Sequence, residues 1–241
     1  MFTGRTTTAA LSVGAALALA LAPAAYAAAP GNSWSMDLGS GAVRDANGTQ
    51  SMTFTGQGVL SAPGLVGGAV EFTRAPSLGT AANSRYDNPG TQNFAMGIVF
   101  TSDPIPNTDG YSGNLMQKGL FGDPGQVKLQ LVSPAQGTVD CRIKGTTGAR
   151  MITSDVNVDD GAWHTAVCWR SGNVVGLTVD GIASSLAWAP GSVSNGKDLT
   201  IGNKGPRAGS SDQHFGRTDY ATWVVDANAR SLVEQRVVTS G

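Results

Sequence analysis

The chain has 241 residues, with 16 Lys+Arg against 17 Asp+Glu and a formal net charge of −1 at pH 7. Its basic residues stand singly, so it carries no electrostatic footprint for nucleic acid or an anionic membrane, and neither is expected as a partner. The only two cysteines, Cys141 and Cys168, lack metal-ligand spacing, and in an exported chain they are expected to pair as a disulfide.

Residues 1–27, MFTGRTTTAALSVGAALALALAPAAYA, hold an early Arg5, an apolar Leu/Ala run and an Ala25-Tyr26-Ala27 ending. This is the pattern of a secretory signal peptide. Pro23 breaks the run, and no later segment supplies the roughly 18 apolar residues of a membrane helix, so no membrane insertion is expected. Residues 28–241 are expected to form one secreted, extracellular domain, long enough to bury a core. No lipid-anchor cysteine follows the cleavage site, which favours release.

Short apolar runs punctuated by 33 glycines and many Ser, Thr, Asn and Asp residues predict an all-β sandwich or barrel with little helix. GAVEFTR alternates Val70 and Phe72 against Glu71, and NFAMGIVFTS reads as a central strand. NLMQKG follows, then QVKLQLVS, with Val127, Leu129 and Leu131 on one face and Lys128 and Gln130 on the other. TVDCRIKG puts Val139, Cys141 and Ile143 on one side. WHTAVCWR and VVGLTVDG form a hairpin around Ser171, Gly172 and Asn173, with Trp163, Thr165, Val167 and Trp169 opposite His164, Ala166, Cys168 and Arg170. Asp180-Gly181 is a second tight turn, into IASSLAW. DLTIGN and DYATWVVD complete the strands, and ARSLVEQRVVTSG offers one short helical turn weakened by Val237, Val238 and Thr239.

The order of these signals resembles the laminin G-like domains of the concanavalin A-like lectin/glucanase superfamily, over nearly all of residues 28–241. WSMDLGSGAVRDANGTQ is similar to the family's Trp-led opening strand and its turn, here with Asp45 and Gly48. GLVGGAVEF, MQKG, DDGAWHTAVCWRSGNVVGLTVDGIASS, LTIGN and HFGRTDYATWVVD then follow in the family's order. The last motif departs from the family at Thr218, and DYATWVV lacks the usual charged residues after the Asp. The resemblance implies a jelly-roll of two curved antiparallel sheets, as in lectins, adhesion modules and some polysaccharide-active enzymes. Fold alone does not choose among these.

His164 could serve as a general base, yet in the family the Trp-His pair is structural, and a strand histidine bonded to neighbouring backbone is expected. Glycoside hydrolysis needs paired carboxylates, which the family's hydrolases place as Glu-x-Asp-x-Glu on one strand. The only glutamates here are Glu71 and Glu234, and neither has that neighbourhood. The arginine-rich and Gln-Ile-His strands of alginate lyases are missing too. Ser210, Ser211, Asp212 and His214 supply the residue types of a serine hydrolase, but no nucleophile elbow, and read as a solvated loop.

In several branches of the superfamily an Asp near the last strand joins N-terminal carbonyls to hold a structural calcium ion. Asp219 stands at that position and Asp37 on the strand that could approach it, against the alternative that Asp219 merely stabilises a turn. Sugar binding needs aromatic platforms with carboxamides and carboxylates beside them. Tyr86 and Asp87 in ANSRYDNPGTQN, Tyr111 in NTDGYSGN, and Trp188 are the candidates, with Trp223 a further aromatic. Trp34, Trp163 and Trp169 are expected in the core. The expectation is a non-catalytic module that binds a glycan or glycoprotein at the sandwich rim or a concave face. The alternatives are a polysaccharide-active enzyme and a protein-binding adhesion module.

Overall fold

Alternation of apolar and polar residues, as in GAVEF and QVKLQL, gives a strand one apolar face to bury, and two such sheets can satisfy that need against each other. The computed structural model of the protein describes residues 31–38, 42–103, 112–132, 137–205 and 212–240. The expected leader at residues 1–27, together with Tyr111, Ser210 and Ser211, lies outside the described residues.

Sixteen strands follow in chain order: β1 Gly31–Ser35, β2 Ala42–Arg44, β3 Ser51–Thr55, β4 Val59–Pro63, β5 Gly68–Phe72, β6 Leu78–Ala81, β7 Phe94–Phe100 and β8 Asn114–Lys118. The second half comprises β9 Gln126–Leu131, β10 Val139–Gly145, β11 Gly148–Thr153, β12 His164–Ser171, β13 Val174–Val179, β14 Ile182–Ala187, β15 Leu199–Ile201 and β16 Gly216–Val225. A final helix, α1, spans Ala229–Ser240. The first sheet runs β14-β13-β12-β7-β16-β5-β4, with β1 also paired to β16, and the second runs β11-β10-β9-β8-β15-β6-β3-β2. Both sheets are antiparallel, have eight strands each and face one another as the expected two-sheet sandwich.

The buried layer between them joins Val127, Leu129, Cys141 and Ile143 of the second sheet to Met96, Ile98, Ala166 and Cys168 of the first. Cys141 and Cys168 are bonded, which ties β10 to β12 straight across the core. At the N-terminal end Trp34 bridges to Asp45, whose carboxylate accepts from the amides of Ser33, Asn47 and Thr49. Gly48, at φ +68°, completes that turn. The Trp-led opening read from the sequence is therefore a closed Asx-type turn.

Helix α1 is three turns long, where the sequence led us to expect one. Its weak intrinsic propensity is overridden by packing: Ala229, Val233 and Val237 are buried against Ala95, Val99, Val167 and Trp169 on the outer face of the first sheet. Trp169 thus sits in a second, smaller core on that outer face. The helix packs on β7, β12 and β16 of that face.

Candidate functional site

Register across the second sheet lines up one residue from each of six strands. Thr80 pairs with Thr200, Thr200 with Gln117, Gln117 with Lys128, Lys128 with Arg142, and Arg142 with Met151. Each of these side chains alternates with a core neighbour, so the row points away from the core. Five inter-strand spacings of ~4.8 Å make it about 24 Å long.

Two segments wall this row into a cleft. Residues 119–125, between β8 and β9, bring Leu120 and Phe121 over one side, and Lys204 and Asp212 rise on the other. The larger compartment is about 460 Å³. A second, about 190 Å³, continues over Thr200 and Thr80 and shares Gln117, Leu120 and Lys204 with the first. Phe121 is 76% exposed at the rim, with the Arg142 guanidinium 4.4 Å from its ring centroid. Carboxamides line the floor. Gln117 and Gln126 both donate to the Gly119 carbonyl, Gln126 accepts from Arg142, and Gln130 donates to Asp140 at 3.4 Å. The Gln117 Oε1 atom is buried and unpartnered among the described residues.

The charges of the cleft are unequal. Lys128 lies 3.3 Å from Asp212, and Lys204 also pairs with Asp212. Arg142 is in none of the ion pairs among the described residues. Burial pushes the Lys128 ammonium down from the usual lysine range, Asp212 opposes that shift, and Lys204 and Arg142 add to it. Burial works to raise Asp212, but the two lysines outweigh it and hold the carboxyl below its ordinary value. Asp212 was expected on a solvated loop and is buried, in ion pairs with both lysines.

The aromatic and acidic candidates read from the sequence lie elsewhere. Tyr86, 36% exposed, sits on a single 3-10 turn, Arg85–Asp87, with the Arg85 guanidinium 4.8 Å over its ring. That loop borders the smaller compartment, since the amide of Asn83 donates to Asp198. Asp87, expected among the ligand-binding groups, is instead framework: it is buried, caps the turn through the Ser84 amide and pairs with Lys118 at 3.1 Å. Trp188 is half-buried against the main core with Arg150 5.3 Å over it, and so closes the open edge of the sandwich. Trp223 is fully buried and stacked on Phe94.

Asp37 and Asp219 do come together. A β-bulge in β16 between Thr218 and Tyr220 leaves Asp219 unpaired and turns its side chain toward the β4–β5 connection. There its Oδ2 accepts from Val66 at 3.1 Å, while Asp37 accepts from Gly68. Side chains at Gly64 and Gly68 would collide with these carboxylates, since a Cβ would lie 2.3 Å from Asp219 Oδ1 and 2.6 Å from Asp37 Oδ1. The Oδ1 of Asp219 is buried and unpartnered among the described residues. Burial, aided by the charge of Asp37, raises the Asp219 carboxyl above its ordinary value.

His164 is held by two carboxylates and not by backbone: Nδ1 lies 2.7 Å from Asp180 and Nε2 2.9 Å from Asp160. Asp180, at φ +48° ahead of Gly181 at +80°, forms the tight turn between β13 and β14, so the histidine fastens that hairpin to β12. His214 is wholly buried and meets Phe72 and Phe100 edge-on, contrary to the solvated loop expected of it. Glu71 faces Arg217 on the first sheet and Glu234 bonds Thr178 from the helix, so the two glutamates are far from pairing across a substrate.

Residues 107–219 match the family model of the laminin G domain. Among solved structures, the binding domain of Paraclostridial Mosquitocidal Protein 1 superposes with a TM-score of 0.68 at 15% identity, over 86% of this chain and 52% of that one. The receptor binding domain of botulinum neurotoxin D gives 0.64 at 10%, over 88% and 52%. Domain 4 of AbnA, a GH43 extracellular arabinanase from Geobacillus stearothermophilus, in complex with arabinotriose, gives 0.58 at 13%, over 84% and 97%. The chain spans about half the length of the two toxin binding domains, and all three likenesses concern the fold. No curated protein matches the sequence.

Proposed function

We propose that the protein, whose residues 107–219 match the laminin G domain and whose fold is that of the binding domains it resembles, is a secreted, non-catalytic module that binds a glycan or glycoprotein sugar chain. The cleft on the outer face of the second sheet is its site. The observation that carries this reading is the row from Thr80 to Met151. It aligns carboxamide, hydroxyl and cationic side chains over six strands beneath an exposed Phe121. Sugar hydroxyls need donors and acceptors at fixed spacing, and the C–H face of a ring needs an aromatic edge or plate. The arabinotriose complex of a fold neighbour lends support.

A binding role without catalysis is favoured by the state of Asp212. Two lysines hold this carboxylate ionised, which suits a structural counter-charge and not a general acid. The test is to incubate the protein with a panel of polysaccharides and to follow both retention and product release. Retention without release is the expected result. Release of oligosaccharides would make the protein an enzyme, and absence of retention across the panel would remove the carbohydrate reading.

A structural calcium ion at Asp37 and Asp219 is part of the same proposal. Two approaching carboxylates with an orphaned oxygen suit a hard cation that takes carboxylate and carbonyl oxygens. Bound there, it would neutralise the pair and pin the β4–β5 connection to β16.

A further inference from the structure

We infer that the cleft selects an acidic saccharide, with a sugar carboxylate seated among Arg142, Lys128 and Lys204. This deepens the carbohydrate reading and rests on it. Three cations line the cleft, and the one carboxylate ion-paired with any of them among the described residues is Asp212, which holds Lys128 and Lys204. In a chain with net charge −1, such an excess is local and not a reflection of bulk composition. Like charges on directly paired residues such as Lys128 and Arg142 repel, so a negative group close by favours the arrangement. Asp212 answers the two lysines.

Arg142 is left over. Its described partners are the Gln126 carboxamide, reached through Nη1, and the ring of Phe121, which leaves Nη2 and Nε without hydrogen-bond acceptors among the described residues. Asp140, two residues earlier on the same face, is buried and engaged by Gln130, and makes no ion pair with Arg142. A planar guanidinium with free N–H groups in a partly dry cleft is matched by a carboxylate, which accepts charge-assisted bonds in its plane. Two strands away, across Lys128, Gln117 is only 3% exposed and has an unpartnered carboxamide oxygen in the lining of the same cleft that calls for a donor such as a sugar hydroxyl. A ring bearing both a carboxylate and vicinal hydroxyls meets both demands, and a uronate residue is such a ring.

The experiment pairs acidic polymers with their own neutral counterparts. Polygalacturonate, alginate and a glucuronan are each presented beside the carboxyl-reduced polymer, with a sulfated galactan as a further arm. Affinity is read by electrophoretic retardation and calorimetry at low and high salt. At least one acidic polymer is expected to bind about tenfold or more tightly than its reduced form, and Arg142→Gln is expected to abolish that preference by weakening the acidic form far more than the reduced one. Arg142→Lys, which keeps the charge and loses the fork, should retain part of it, and Lys204→Gln at the exposed rim should weaken it without disturbing the fold. Equal binding of reduced and acidic forms, or indifference to Arg142→Gln, overturns acidic selectivity while the carbohydrate reading stands. Preference for the sulfated galactan overturns the carboxylate. Failure of every polymer, acidic and neutral, removes the carbohydrate reading and the selectivity with it.

Discussion

Lys128 and Arg142 are register partners on β9 and β10, and both leave the second sheet on the side away from the core. Paired like charges make Asp212 structurally necessary, because it alone among the described carboxylates is ion-paired with Lys128 and with Lys204. Asp212→Asn should therefore destabilise the protein by about 3 kcal/mol, the usual cost of stranding a buried charge. Urea unfolding would measure it, and an unchanged midpoint would show that the three cations do not depend on this carboxylate.

Phe121 is almost wholly exposed, so its truncation should leave stability within about 0.5 kcal/mol. Binding is a different matter. Removal of an aromatic plate that stacks on a sugar ring should cost about 1.4 kcal/mol, or tenfold in Kd. Phe121→Ala is expected to separate the two readouts, with thermal melting preserved and polysaccharide retention lost. Retention equal to that of the parent would move the binding site away from this loop.

The two histidines pull stability in opposite directions with pH. His164 is raised above its ordinary 6.5, chiefly by the hydrogen bond it donates to Asp180, with burial opposing and Asp160 assisting. Its contribution is complete below the unfolded value and is lost as pH rises through the folded one. His214 is lowered from 6.5 to about 4 by burial. The unfolded chain therefore takes up a proton there first, and stability falls as pH drops from 6.5 toward 4. Melting temperature against pH should show His164→Asn flattening the alkaline side and His214→Leu the acid side. A parallel displacement of both curves would refute the assignment.

Much of the sandwich is legible in the sequence because period-two alternation and turn residues act locally. Val127, Leu129 and Leu131 declare one buried face, and Asp180-Gly181 declares its turn. The cysteine pairing follows from there being two of them in a chain with an expected leader. Short edge strands such as β2 and β4 escape notice, since three to five half-exposed residues carry little pattern. The cleft escapes for a different reason. Lys128 and Gln130 read as an ordinary solvated face, and only the distant residues Phe121, Lys204 and Asp212 turn that face into a walled site. Aromatics mislead similarly: Trp223 on β16 and Trp188 just after β14 serve packing because of where the fold places them. Asp37 and Asp219 were found because a resemblance, not local pattern, brought residues from opposite ends of the chain together.

At that pair, ionisation is unfavourable without a counter-ion. Asp219 is raised by burial and by Asp37, so its ionised form weakens the fold, and in EDTA stability should improve as pH falls from neutral through the folded value. Calcium should raise the melting temperature at neutral pH and suppress that pH trend. Asp219→Asn should abolish the calcium response while costing little stability in EDTA. A melting temperature indifferent to calcium in the parent protein would leave Asp219 as a turn-stabilising carboxylate on the β4–β5 connection.

Gly97 lies under helix α1, and the absence of its side chain sets how closely the helix docks. A Cβ there would stand 2.5 Å from Val233 Cγ1 and 3.0 Å from Val237 Cγ1, the two valines that carry the helix's buried stripe. The helix cannot yield locally, because Arg230 lies 4.1 Å over Trp169 and pairs with Glu234, which in turn bonds Thr178. Gly97→Ala should thus lift the helix as a unit and cost about 1–3 kcal/mol, the range for overpacking a tight contact. Val233→Ala in the same chain should recover part of that loss by clearing the space, though each change alone destabilises. Coupling of this sign in a double-mutant cycle would identify direct contact as the cause, whereas simple additivity would place the strain elsewhere. The cleft lies on the other sheet, so polysaccharide retention should survive Gly97→Ala under conditions where the protein remains folded.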